Sequence, residues 1–205
     1  PDVSAQYNPI GSYMRITEVA SRIAGQMPGE GQSAAFKEFV WGYVNQVAKG
    51  LVGIGQTPSY PLIKQYSQQL EPLYNAYIDR LLSERIPNYQ TELQRYIELM
   101  RLEPKERREQ GLMDDVSQIK RDRDAVARYL LYKHNLSKMV FSDAELDTAQ
   151  SLTKAFITDQ QYLSKLIASL DPFLEKMTTG AVAQLISPTY LDPAKPTFDW
   201  GSILQ

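Results

Sequence analysis

The chain has 205 residues, no cysteine, and twenty-two basic against twenty-four acidic side chains, for a formal charge of −2. Disulfides, thiol catalysis, iron–sulfur clusters and zinc knuckles are thereby excluded, and the interspersed charges argue against a nucleic-acid partner held by counterion release. A chain of this length buries about 70% of its unfolded surface and needs no metal or disulfide to fold.

Apolar residues recur every three or four positions in seven stretches and almost never alternate in twos, which is the signature of amphipathic helices. Residues 1–11 hold Pro1, Pro9 and Gly11 without a period and are expected to form an extended arm. Ser12 is the expected cap of a first helix striped by Ile16, Val19, Ala20, Ile23 and Met27, stopped at Pro28-Gly29. Ser33 opens a second, with Phe36, Phe39, Val40, Tyr43, Val44, Val47 and Leu51 on one side and Trp41 off that stripe.

Pro61 fits the first turn of a third helix carrying Leu62, Ile63, Tyr66 and Leu70. Pro72 predicts a kink or fresh start at Leu70-Glu71-Pro72, after which Leu73, Tyr74, Tyr77, Ile78, Leu81 and Leu82 continue to Pro87. Asn88 is the expected cap of the next helix, striped by Leu93, Tyr96, Ile97 and Met100. Residues 104–111 read as a polar connection, and a helix is expected from about Asp114 to His134.

Ser142 with Glu145 spells a capping box, the clearest local start signal in the chain. The helix it opens is expected to run unbroken to Leu170, where Asp171-Pro172 reads as a cap and first-turn proline restarting the chain towards Ile186. Leu70-Glu71-Pro72 and Leu170-Asp171-Pro172 echo one another, but such joints arise independently. After Ser187-Pro188 the period disappears into prolines and aromatics.

Gly50-Leu51-Val52-Gly53-Ile54-Gly55-Gln56-Thr57 matches the phosphate-loop pattern except for Gln56, where the charge-bearing lysine belongs. A helix precedes it where the motif needs a strand, so close packing of a helix end explains these glycines better. His134 is the only histidine, too few imidazoles for a di-iron or hydrolytic zinc site, and is expected to interact with the last carbonyls of its helix. Asp114-Asp115 suit a helix start, and Asp122 and Asp124 a solvated face. Thirteen tyrosines against six phenylalanines fit either a protein interface or a small core whose edges reach water.

The expected fold is all-α: an antiparallel helical bundle of about six or seven helices over residues 12–186, with proline-kinked joints, flanked by the arm and an extended proline/aromatic tail over 187–205. The expected function is that of a non-enzymatic structural subunit of a larger protein assembly, such as a virion or a secretion machine. Its tail would dock onto neighbouring chains, the same or different, through Tyr190, Leu191, Phe198, Trp200, Ile203 and Leu204. No catalytic, cofactor-binding or metal-ligating residue is assigned. The alternative is a free-standing helical binding module whose apolar groove takes a peptide or small hydrophobic ligand. No run approaches the ~20 apolar residues of a membrane span. No charged-then-apolar segment opens the chain, so synthesis without a signal peptide, and a cytoplasmic or virion setting, is expected.

Overall fold

The structure is a computed structural model and describes residues 7–27, 34–110, 122–138, 140–158 and 160–186. Those residues are predominantly helical and contain no strand. The helices are α1 (Thr17–Gln26), α2 (Ala34–Gly53), α3 (Tyr60–Gln68), α4 (Leu70–Arg85), α5 (Tyr89–Arg101), α6 (Pro104–Glu109), α7 (Arg123–Lys138), α8 (Asp143–Ile157), α9 (Gln160–Thr178) and α10 (Gly180–Ile186).

Local chemistry sets several of the starts. Ser142 and Glu145 form the reciprocal box that their spacing predicts: Ser142 N–H donates to Glu145 Oε2 at 2.7 Å and Glu145 N–H to Ser142 Oγ at 3.3 Å. Ser59 accepts from Leu62 N–H at 3.4 Å, with Pro61 in the first turn of α3. Asp122 is exposed, as expected, and also caps α7 by accepting from Ala125 N–H at 2.7 Å. Residues 114–121 lie outside the described part.

Other boundaries depart from the periodic reading. Ser12 does not cap the first helix; α1 begins at Thr17, and the Ser12 carbonyl accepts from Arg22 Nη1 at 2.7 Å. Asn88 stands before α5 as expected, yet in the left-handed region (φ 60°) and without a side-chain capping bond. The polar connection contains α6, whose start is tied by Glu103 N–H donating to Glu106 Oε2 at 3.2 Å.

The long helix from Ser142 divides: α8 ends at Ile157 and α9 begins at Gln160. Conversely, Asp171-Pro172 starts nothing, because α9 runs through Pro172. Tertiary burial outweighs the helix-breaking cost of an interior proline there. Leu170 and Leu174 are buried on either side of it, and Phe173 packs edge-on against Tyr60 with ring centroids 5.9 Å apart. Asp171 is engaged by Gln68 Nε2 at 2.7 Å rather than by its own backbone. The chain turns later, at Gly180, whose φ of +69° suits a residue without a side chain.

Among the described residues, those before Tyr74 and after Gln150 form one compact unit (unit 1), and Tyr74–Gln150 form another (unit 2). In unit 1, Val19, Ala20 and Ile23 of α1 and Val40, Val44, Val47, Ala48 and Leu51 of α2 are buried, as is Ile63 of α3. Each buried aliphatic contributes roughly 1.5–3 kcal/mol of transfer free energy. Lys64 and Gln68 of α3 bind Glu175 and Asp171 of α9. Near the chain start, Asn8 Nδ2 donates to the Pro58 carbonyl at 2.9 Å and Arg22 Nη1 to the Pro9 carbonyl at 2.7 Å.

In unit 2 the buried set is Tyr74, Tyr77, Ile78, Leu81 and Leu82 of α4, Tyr89, Leu93, Tyr96 and Met100 of α5, and Val126, Ala127 and Leu130 of α7. α5 and α7 pack against each other.

Candidate functional site

Among the described residues, two places gather side chains capable of recognition or chemistry, one in each unit. In unit 1, α2 carries a second face beside its core stripe. Ala35, Glu38, Phe39, Gly42 and Gln46 recur at helical spacing along it, flanked by Trp41 and Tyr43. Lys154 and Ala155 of α8, with Thr158 just beyond its end, stand opposite and line a groove of about 550 Å³. That volume lies within the ~300–1,000 Å³ typical of ligand sites.

Two glycines of α2 differ in what surrounds them. At Gly50 a Cβ would meet Leu73 Cδ2 at 3.1 Å and Leu152 Cδ1 at 3.4 Å, so that glycine lets leucines from two other helices close on the backbone. The phosphate-loop resemblance at Gly50 is thus a packing feature of a helix that continues to Gly53. At Gly42, two turns earlier, a Cβ would meet nothing within 4 Å. Its φ is not positive, so neither conformation nor an intramolecular neighbour requires glycine there. A mid-helix glycine costs about 1 kcal/mol relative to alanine.

Polar bonds fix the walls. Trp41 Nε1–H donates to Ser21 Oγ at 3.0 Å, which sets the indole plane. Tyr43 sends its hydroxyl to the Ser67 carbonyl at 3.1 Å, and burial pushes its pKa well above the phenol range. Glu38 of α2 and Lys154 of α8 both line the groove, and neither is in an ion pair among the described residues. Ile157, next to Thr158, is 72% exposed.

In unit 2, His134 of α7 is 6% exposed and its Nε2 lies 2.8 Å from Glu92 Oε2 of α5. Lys133 reaches the other carboxylate oxygen at 3.2 Å and the Tyr96 hydroxyl at 2.5 Å, with its ammonium 4.5 Å from the Tyr96 ring centroid. Desolvation pushes the Glu92 carboxyl up, but hydrogen bonds from His134 and Lys133 offset this and hold it below the ordinary carboxylate range. Desolvation also presses the Lys133 pKa down, and bonds to Tyr96 and Glu92 hold it raised.

His134 therefore serves a carboxylate on another helix and not, as expected, the last carbonyls of its own. The anionic Glu92 accepts from Nε2–H, and Nδ1 is buried without a partner among the described residues. The pair has the geometry of an oriented base, but no reactant reaches Nδ1 unless α7 parts from its neighbours.

Elsewhere in unit 2 the tyrosines reach polar partners at the core edge. Tyr77 donates to the Glu145 carbonyl at 3.1 Å, and Tyr89 to Asp79 Oδ1 at 2.5 Å beside Arg123. Of the two readings of the tyrosine surplus, these residues follow the core-edge one; Tyr132, 57% exposed, does not. Tyr190, Leu191, Phe198, Trp200, Ile203 and Leu204 lie outside the described residues. Among the described residues there is no cluster of three or more histidine or acidic side chains placed to hold a metal ion. No helix among them is long and apolar enough to cross a membrane.

The α2 face was missed by a reading that gave each helix one stripe. Trp41 lying off the stripe and Gly42 in mid-helix were its signals. Comparison with protein-family models, with curated proteins and with solved structures finds no match.

Proposed function

We propose that the chain is a non-enzymatic interaction subunit of a larger protein assembly, a helical bundle with antiparallel packing that receives a protein segment in the groove between α2 and α8. The observation that carries this reading is the bare backbone at Gly42. A glycine that no internal contact explains, flanked by Phe39, Trp41 and Ala155, supports a surface shaped for an external apolar side chain. The aromatic composition of the walls matches that of interface cores.

The size of the groove also favours a second reading, a small hydrophobic ligand in place of a protein segment. Velocity sedimentation of the full chain in lysate of its source cells separates the two. The interaction reading predicts co-sedimentation with larger species and a shift to the light fractions for Gly42→Glu. A wild-type chain that sediments as a monomer contradicts it.

A further inference from the structure

We propose that the groove of unit 1 is the self-complementary interface of a two-fold dimer, in which Ile157 of each copy enters the groove of the other over Gly42. The inference rests on the reading of the groove as a receptor for protein and names that protein as a second copy of this chain. In a two-fold interface one patch must carry both members of every contact, because residue i of one copy meets j of the other while j meets i. The surface between α2 and α8 does so in shape and in charge.

A projection and a recess lie side by side. Ile157, at the end of α8, is 72% exposed, while Thr158 beside it and Lys154 one turn earlier line the groove. Thr158 Oγ1–H donates to the Lys154 carbonyl at 2.8 Å, which engages that hydroxyl within its own helix end. The recess is lined by Phe39, Trp41, Gly42 and Ala155, and a Cβ at Gly42 would meet nothing within 4 Å. Trp41 directs its indole N–H to Ser21, so its polar edge is already satisfied. An isoleucine left in water beside an uncovered apolar recess is unfavourable on both counts, and a two-fold contact covers two of each at once.

The charges select a second copy over another partner. Glu38 and Lys154 are both exposed, and neither is in an ion pair among the described residues. Glu38 precedes Gly42 by about one helical turn, and Lys154 precedes Ile157 by about the same. With Ile157 of one copy over Gly42 of the other, Lys154 comes level with Glu38, and the two-fold makes that pair twice. A formal charge of −2 per chain leaves little net repulsion between copies. A partner of different sequence would have to supply a projecting apolar side chain, an acid and a base; a second copy carries all three in register.

Sedimentation equilibrium of the purified full chain, from micromolar to submillimolar concentration, tests the proposal. The wild type is expected to dimerise, and Ile157→Asp, a change at an exposed position, to be a monomer with unaltered helical circular dichroism. Glu38→Lys and Lys154→Glu each set like charges against each other at both pairs and should each weaken the dimer by at least about tenfold. Mixed in equal amounts, these two single variants should recover wild-type affinity as a heterodimer, since two lysines on one copy then meet two glutamates on the other. A role for either residue within one chain gives no such rescue. A monomeric wild type overturns the proposal, as does a dimer indifferent to Ile157→Asp or to the charge changes, or a mixture that fails to recover. A purified monomer that still co-sediments with larger species in lysate removes the second copy and leaves the receptor reading standing; a monomer in both settings removes both.

Discussion

Units 1 and 2 are built from the same material, amphipathic helices rich in tyrosine, yet they finish their surfaces in opposite ways. In unit 2 the polar groups close on each other. Arg123 binds both oxygens of Asp79, at 2.6 and 3.1 Å, while Tyr89 shares the same carboxylate. Asn75 donates to Asp124 at 2.8 Å and accepts from Arg128 Nη1 at 2.7 Å. Glu92, Lys133, His134 and Tyr96 complete a second cluster. In unit 1 the face of α2 through Gly42 is left open between aromatic walls. Paired polar groups hold helices to each other, whereas an uncovered glycine leaves a place for something else.

The two glycines of α2 put the sharpest strain on that contrast. Gly50→Val drives branches into Leu73 and Leu152, and an overpacked core costs about 3 kcal/mol, visible as a lower urea midpoint. An unchanged midpoint would mean that Leu73 and Leu152 do not close on Gly50.

Next in size is unit 2's buried pair. Glu92→Gln removes the charge that Lys133 and His134 share and should cost about 2 kcal/mol at neutral pH. Because the folded-state pKa of Glu92 is lowered, its contribution is fully present above the ordinary value of 4.5 and is lost as pH falls through the folded value. The gap between wild type and Glu92→Gln in thermal melts should therefore close below pH 4.5. A gap that stays constant in acid would assign the loss to packing alone.

Ser142→Ala removes one half of the box at the start of α8 and should cost ~1 kcal/mol by chemical denaturation. Of similar size and opposite sign, Gly42→Ala should raise the stability of α2 by up to ~1 kcal/mol, since the new methyl group meets nothing within 4 Å. A loss of stability there would show that position 42 already has a neighbour. Smallest of all, Arg85→Ala breaks an exposed bridge to Glu145 and should leave the midpoint nearly unchanged.

Helical class was legible because the period of three to four is a local property, and so was the Ser142–Glu145 box, whose four residues determine their own geometry. The course of the chain from Ser142 to Ile186 was not. Its passage through Pro172 goes with the burial of Leu170 and Leu174 on either side, which no local spacing encodes. His134 and Glu92 lie 42 positions apart, so their pairing had no local signal. The groove was half legible: Trp41 and Gly42 fit no core stripe, but only the placement of Ala155 and Lys154 turns that oddity into a concavity.

The central claim is that α2 presents a protein-binding face while the exposed surface of unit 2 does not. Site-specific photo-crosslinking in source cells tests it most directly, with the reactive group placed at Gln46 in the groove and, for comparison, at exposed Glu98 of α5. The account predicts a discrete adduct with another protein chain from position 46 and only background from position 98. Equal background at both positions would contradict it.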